Sequence, residues 1–162
     1  MYSVLDIETT GGKYDEEGIT EIAIYRFDGD NIVDQFSSLI NPDIEIQPFV
    51  VKLTGINKKM LRKAPKFFEV AKRIVEITDN SILVAHNAEF DYRILQTEFR
   101  RLSFSFERKT LCTVNLSRIL IPEQPSFSLV HIRRRKFRLG PEAATKTIPT
   151  RFMPRAKLLE NT

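Results

Sequence analysis

The sequence predicts an α/β domain built on a mixed sheet that is flanked by helices. Two stretches of alternating apolar residues follow a first apolar run, and the short connections between them allow only antiparallel pairing. Further along the chain, a short all-apolar run lies between stretches with helical spacing, which is typical of a buried strand. The 162 residues suffice for one domain with a core that needs neither disulfides nor a structural metal.

Three strands are predicted near the N-terminus. Tyr2 to Glu8 is an apolar run that ends in acidic residues and a Thr-Thr-Gly-Gly turn. Ile19 to Phe27 and Asn31 to Ile40 flank an Asp-Gly turn, so they should pair as a hairpin. Together the three strands form an antiparallel meander.

Helices and a buried strand follow the meander. Helical spacing predicts helices over four ranges, which are Asn57 to Lys63, Pro65 to Thr78, Glu89 to Leu102 and Leu111 to Ile121. The second should cover the sheet with Phe68, Ala71, Ile74, Val75 and Thr78. The third should bury Phe90, Ile94, Leu95 and either Phe99 or Leu102, and it should turn Arg93, Gln96 and Arg100 toward water. Ser81 to Ala85 is the buried strand.

The basic residues are concentrated at the C-terminal end. The chain carries a net charge of +4, which is typical of a protein that binds polyanions. Residues 1–128 hold 16 Lys or Arg and 19 Asp or Glu, whereas residues 129–162 hold nine and two. We therefore predict a folded domain over 1–128 and a distinct basic segment over 129–162. That segment is either a poorly ordered end or a strip that contacts phosphates through its basic residues.

Composition also excludes several classes of protein. No apolar run approaches the roughly 20 residues that cross a bilayer, and the N-terminus lacks the pattern of a signal peptide. One cysteine and two histidines exclude a disulfide framework and a zinc finger. These observations predict a cytoplasmic protein without a membrane partner, in which Cys112 is a small buried hydrophobe.

Three carboxylates are candidates for metal ligands. Asp6 and Glu8 lie two residues apart on a strand, so their side chains leave the same face about 6 to 7 Å apart. Asp91 lies in the first turn of the helix after the buried strand, which the sheet would bring alongside. Hard oxygen ligands select Mg²⁺ or Mn²⁺. The alternatives are a solvated strand end and an acid that favours the positive end of a helix dipole.

Longer motifs around these acids resemble a known family. Asp6-Ile7-Glu8-Thr9-Thr10-Gly11 and the segment from Val84 to Leu95 are similar to the first two motifs of the DEDD exonuclease superfamily. The similarity is to the branch that contains the proofreading epsilon subunit of bacterial DNA polymerase III. Leu53-Thr54-Gly55-Ile56 matches a segment that lies near the terminal nucleotide in this family. The resemblance covers residues 2–129, and the motifs occur in the family's order.

The resemblance implies a ribonuclease-H-like fold and a 3′ to 5′ exonuclease that acts on DNA with two divalent ions, Mg²⁺ or Mn²⁺. Asp6, Glu8 and Asp91 would be catalytic and metal-binding residues. Thr9, Thr10 and Thr54 would contact the terminal nucleotide, and Phe90 or Leu53 would offer an apolar surface to its base. The partner would be a single-stranded or frayed 3′ end of DNA, with RNA left open. A free repair nuclease and a polymerase subunit are both compatible with it.

The sequence departs from the family after Leu129. The family continues with a His-x-Ala-x-x-Asp motif that supplies a general base and a fourth acid, and this chain has neither. We interpret the change as a shift in the reading frame of the sequence near Leu129 or as a natural frameshift that truncated the domain, and translation of the DNA in its other two frames would test this. The prediction is a weakened or inactive exonuclease. The alternatives are a non-catalytic nucleic-acid-binding or polymerase-associated module and an interaction domain without nucleic acid.

Overall fold

The computed structural model describes residues 1–129 together with His131 and Ile132, so most of the predicted basic segment lies outside the described residues. Its strands are β1 (Tyr2–Thr9), β2 (Ile19–Phe27), β3 (Ile32–Leu39), β4 (Ile82–Ala85) and β5 (Thr110–Cys112). They form one sheet in the order β3-β2-β1-β4-β5, in which β1 to β3 are antiparallel and β4 and β5 run parallel to β1. The predicted mixed sheet and its N-terminal meander are confirmed.

Five helices lie between β3 and residue 121. They are α1 (Pro48–Thr54), α2 (Lys58–Leu61), α3 (Phe67–Ile77), α4 (Ala88–Arg101) and α5 (Thr113–Leu120). None of them is both long and apolar enough to span a membrane. The sequence did not predict α1, because a helix of seven residues is too short to show helical spacing. Proline at its first position and Gly55 with φ 72° at its C-cap explain where it begins and ends.

The prediction of a helix from Leu111 is wrong at its start. Leu111 and Cys112 belong to β5, where they pair with Val84 and Ala85 of β4, and the helix begins at Thr113. A strand of three residues runs directly into α5 with no turn residue between them. A strand of three residues is too short to show the two-residue period of a strand. Spacing alone therefore predicts a helix that begins too early.

The buried face of α3 is also displaced from the predicted one. Phe68 is 60% exposed, and the helix instead buries Phe67, Val70, Ala71, Ile74 and Ile77. Two adjacent phenylalanines give stripes of the same period, so spacing does not select between them. Thr78 is buried as predicted, but as the C-cap, where its hydroxyl donates to the carbonyl of Ile74 at 2.7 Å.

The main core fills one face of the sheet. Leu5 and Ile7 of β1 pack there with the apolar faces of α3 and α4. The Phe99 ring of α4 meets Phe67 edge-on at 5.1 Å and stacks on Phe106 at 4.5 Å. Because side chains alternate along a strand, Asp6 and Glu8 lie on the opposite face of β1.

A second, smaller core holds α1 and α2. It consists of Ile46, Val50, Ile56 and Leu61, with Leu39 of β3 packed against it. In the strand register Leu39 lies beside Glu21, and Glu21 lies beside Glu8. Paired residues of neighbouring strands share a face, so α1 and α2 pack on the face of the sheet that carries Asp6 and Glu8.

Glu98 joins α4 to β2 and should make stability depend on pH. It is 8% exposed, and its Oε1 accepts hydrogen bonds from the amide of Ile19 and from Arg101. Burial raises the pKa of Glu98 above 4.5, although Arg101 opposes the shift. Charging Glu98 therefore costs stability as pH rises from its unfolded pKa through its folded pKa. We expect Glu98→Gln to gain stability relative to the wild type over that interval.

Urea unfolding of both proteins at pH 4.5, 6 and 8 measures this difference. The amide oxygen of the introduced glutamine keeps an acceptor for Ile19, so the fold is retained. Two unfolding free energies that change in parallel with pH would contradict the prediction.

Candidate active site

The sheet has a gap beside the C-terminal half of β1. β4 pairs with β1 only from Tyr2 to Val4, and beyond Val4 none of the described strands pairs on that side of β1. Asp91, in the first turn of α4, fills the gap, and its Oδ1 accepts a hydrogen bond from the Ile7 amide at 3.1 Å. Asp91 is only 4% exposed. The carboxylate replaces the acceptor that a longer β4 would have supplied.

This hydrogen bond brings Asp91 next to the segment of β1 that carries Asp6 and Glu8. The amide of Ile7 belongs to the peptide unit that joins Asp6 to Ile7, and Glu8 follows directly. Asp6 and Glu8 are half-buried on their shared face of β1. The expected juxtaposition of an acidic strand end and an acidic helix start is therefore present, with Asp91 held in a defined orientation.

The donor set suits a hard divalent ion in its chemistry. All three groups are carboxylates, which are the ligands preferred by Mg²⁺ and Mn²⁺. Across residues 1–129, no three His, Cys, Asp or Glu side chains form a finished metal site. Carboxylates repel one another until a cation joins them. Binding of one ion by Asp6, Glu8 and Asp91 thus stays a prediction.

The loop after β1 is fixed by hydrogen bonds of Thr10. Thr10 is fully buried, its amide donates to Gly18 at 2.9 Å, and its carbonyl accepts from Gln47 at 2.9 Å. The hydroxyl of Thr9 accepts from the amide of Gly11 at 3.2 Å. Thr10 therefore shapes the loop with its own backbone groups, and a contact of Thr9 or Thr10 with a nucleotide stays a prediction.

The same loop is fastened to α4 by Arg93, which was predicted to face water. Its guanidinium donates to Glu17 at 2.8 Å and to Asp15 at 3.3 Å, and the side chain is 18% exposed. Thr97 and Arg101 of α4 also hydrogen bond to Asp15, at 3.0 and 2.8 Å. Helical spacing places Arg93 off the apolar face, but it cannot show that an acidic loop covers that position.

Electrostatics keep the Arg93–Glu17 pair charged. Burial by itself raises the pKa of Glu17, but hydrogen bonds from Arg93 and from backbone amides hold it below its usual value. The hydrogen bond to Glu17 raises the pKa of Arg93 in turn. The fastening between loop and helix is therefore an ion pair at neutral pH.

Two aromatic rings lie close to the guanidinium of Arg93. Its guanidinium carbon is 4.2 Å from the ring centre of Tyr14 and 5.5 Å from that of Phe90. Phe90 precedes Asp91 and is 36% exposed, so the expectation that it is part of the core is wrong. Tyr14, which no sequence pattern marks, is 72% exposed. Both rings are therefore accessible to solvent.

The Leu53–Ile56 segment divides into an exposed and a buried residue. Leu53 is 44% exposed, whereas Thr54 is 1% exposed. The Thr54 hydroxyl donates to the carbonyl of Val50 at 2.9 Å and accepts from the amide of Ile56 at 3.1 Å. Thr54 thus stabilises the end of α1, and its contact with a nucleotide stays a prediction.

Phe49 is a candidate contact residue that sequence reasoning missed. It lies in the first turn of α1 and is 65% exposed. A Cβ atom on Gly11 would lie 3.2 Å from the Phe49 ring and 2.8 Å from Val50, so α1 packs closely against the loop after β1. No spacing signal marks Phe49, because its importance comes from this contact between distant segments.

The turn before α4 holds His86 and Asn87. The Nδ1 of His86 lies 2.9 Å from the hydroxyl of Thr113, which joins the end of β4 to the start of α5. This contact orders the turn between β4 and α4. Cys112 is half-buried nearby; burial raises its pKa, but backbone amides of Asn115 and Ala88 outweigh burial and lower it.

Comparison with known proteins identifies the class to which this fold and site belong. The chain matches the exonuclease family (RNase T) over residues 3–142, and it therefore belongs to that family. It is 37% identical over 128 residues to a PolC-type DNA polymerase III of Caldanaerobacter subterraneus and 35% identical over 129 residues to the 3′-5′ exonuclease DinG of Staphylococcus saprophyticus. Each alignment covers 79% of this chain but only 9% and 14% of those relatives, respectively.

Solved structures show the same fold. Exonuclease X in complex with 5′-overhanging duplex DNA is 30% identical, with a TM-score of 0.66 over 83% of this chain and 72% of that one. Exonuclease I without a ligand gives a TM-score of 0.73 at 21% identity, over 82% of this chain and 36% of that one. The ribonuclease-H-like exonuclease fold expected from the motifs is confirmed.

The Asp91–Ile7 hydrogen bond should be visible in stability. Asp91→Ala leaves the buried amide of Ile7 without its acceptor, which costs about 1–3 kcal/mol in the free energy of unfolding. Asp91→Asn keeps an oxygen at the same position and should cost less. Urea unfolding measures both, and an alanine variant as stable as the asparagine variant would contradict the prediction.

Proposed function

We propose that the chain is a metal-dependent 3′ to 5′ exonuclease that removes nucleotides from DNA. The observation that carries the proposal is the carboxylate of Asp91 on the amide of Ile7, between Asp6 and Glu8. Membership of the exonuclease family and the similarity to a relative named 3′-5′ exonuclease support it. Cytoplasm is the expected location, because the lone cysteine suits a reducing compartment.

Asp6, Glu8 and Asp91 would hold the divalent ions, Mg²⁺ or Mn²⁺. Two such ions, when bound, activate a water molecule and stabilise the departing 3′ oxygen. The chain itself supplies orientation. The amide of Ile7 fixes Asp91, and the ion pair of Arg93 with Glu17 fixes the loop next to Glu8. Preorganised ligands of this kind need no rearrangement when the substrate arrives.

Exposed aromatic side chains near these acids provide a surface for the last bases. Phe49, Phe90 and Tyr14 are all at least 36% exposed. Stacking on such rings tolerates every base, as an exonuclease requires. We therefore propose a single-stranded or frayed DNA 3′ end as the substrate. The match to a polymerase leaves a polymerase-associated role and a free repair role both open.

We expect a slow enzyme. The sequence lacks the His-x-Ala-x-x-Asp motif of the family, so the general base and the fourth acid of that motif are missing after Leu129. Loss of a general base alone typically lowers a rate by about 10²- to 10⁴-fold. The three carboxylates and the binding surface remain, so hydrolysis should still exceed that of a site without them.

Digestion of a 5′-labelled single-stranded DNA in Mn²⁺ or Mg²⁺ tests the function. We expect a ladder of products shortened from the 3′ end, and no ladder in EDTA. Loss of a residue that hydrogen bonds to a metal ligand typically costs about 10- to 100-fold in activity. Asp6→Asn removes a proposed ligand itself, so it should lower the rate of cleavage by more than about 100-fold.

The matched control is Asp30→Asn, which removes the same charge from the exposed β2–β3 turn. It should cleave at the wild-type rate. A wild-type protein that unfolds cooperatively but yields no ladder would contradict the proposed activity and favour a non-catalytic module that binds nucleic acid.

Phe49→Ala tests the aromatic surface. Base stacking contributes about 1–3 kcal/mol per base, so the substitution should weaken DNA binding by roughly 5- to 150-fold. Stability should change little, since Phe49 is 65% exposed. Phe68→Ala is the matched control, because this phenylalanine is 60% exposed on a helix that packs against the other face of the sheet. Equal DNA affinities of the two variants would count against a stacking role.

A further inference from the structure

Basic side chains are concentrated on α1, α2 and the turn that follows. Between positions 46 and 68 the sequence holds six Lys or Arg and no Asp or Glu. All six are exposed, and they are Lys52, Lys58, Lys59, Arg62, Lys63 and Lys66. The rest of residues 1–129 holds ten basic and nineteen acidic residues. One strongly positive segment therefore stands on an otherwise acidic domain.

Among these six, Lys66 alone forms an ion pair within the described part of the chain. Its Nζ lies 2.6 Å from Asp43, and that contact raises the pKa of Lys66. The other five cations make no ion pair with any described residue, and we call them the basic face. Asp43 and Glu45 line a cavity of about 560 Å³ together with Lys58 and Arg62, yet neither acid reaches an ion-pair distance to them.

The basic face is located next to the candidate active site. α1 and α2 pack through Leu39 on the sheet face that carries Glu8. The residue before α1, Gln47, donates its amide to Thr10 in the loop after β1. α1 is about 10 Å long. The cations begin at Lys52, which follows Phe49 by about 4.5 Å along α1, and the other four lie on α2 and in the turn after it.

We propose that the basic face binds the phosphate backbone of the nucleic-acid strand whose 3′ end lies at Asp6, Glu8 and Asp91. The inference rests on the proposed function and adds where the upstream part of the substrate lies. Lysines fit this role, because an ammonium group binds phosphate as a point charge without reading sequence. We favour nucleic acid over an acidic protein as the ligand of the basic face, because the basic face adjoins a candidate site with exposed aromatic rings.

Salt dependence of binding tests the proposal directly. Binding of a labelled 20-nucleotide single strand is measured by fluorescence anisotropy in EDTA, where no cleavage occurs, at several salt concentrations. Each phosphate contact contributes about 0.7 to the slope of log affinity against log salt for single strands. Lys59→Gln/Lys63→Gln should therefore lower the slope by about 1.4. At low salt, the affinity should fall about tenfold or more.

The matched control is Lys72→Gln/Lys109→Gln. It removes the same charge from two exposed lysines outside the basic face, and it should keep the wild-type slope. In Mn²⁺, cleavage of a dinucleotide should be equal in all three proteins, because its one internucleotide phosphate is the one cleaved and none is left to contact the basic face.

The outcomes separate the two proposals. A salt-dependence slope that falls only in the Lys59/Lys63 variant supports the proposed role of the basic face. If the wild type at the same time cleaves no DNA, the exonuclease proposal alone fails. A wild type that cleaves DNA while both variants keep its slope and affinity overturns the basic face alone. An equal loss in both variants would also overturn it, because the effect would then be one of net charge.

Discussion

The hydrogen bond between Asp91 and the amide of Ile7 is the contact on which the candidate site depends. It exists because β4 ends before β1 does, so a backbone amide in the middle of the sheet needs another acceptor. The helix that follows β4 provides one from its first turn. Packing of α4 against Leu5 and Ile7 then fixes the position of that turn. The core and the site are consequently set by the same helix.

Sequence patterns predicted the features that depend on a single segment of the chain. Asp6 and Glu8 share a strand face, and the resemblance of Asp6 to Gly11, Leu53 to Ile56 and Val84 to Leu95 to known motifs suggested the family. Features that depend on contacts between distant segments were missed. Arg93 is covered by an acidic loop, and Phe49 belongs to a helix too short to have a period. The predictions of where α5 begins and of which face of α3 is buried were wrong, because in each case two interpretations of the sequence had the same spacing.

Acidic and basic side chains occupy different parts of this domain. The acids that are proposed to bind metal lie at the end of β1 and the start of α4, and the cations of α1 and α2 lie on the face of the sheet that carries Asp6 and Glu8. The net charge of the chain hides this division, since it averages an acidic domain with a basic segment. Arg93 and Glu17 compensate each other inside the acidic part, so the loop after β1 is held without adding charge.

The short β4 strand has a further consequence for association between molecules. A strand with an unpaired stretch of backbone can accept a strand from another chain, and exposed edges of this kind promote aggregation. Here the unpaired stretch of β1 lies inside the sheet, and a buried carboxylate occupies it. An incoming strand would have to displace Asp91 and bring its own backbone against a negative charge. The acid that is proposed to bind metal therefore also protects the sheet against unwanted pairing.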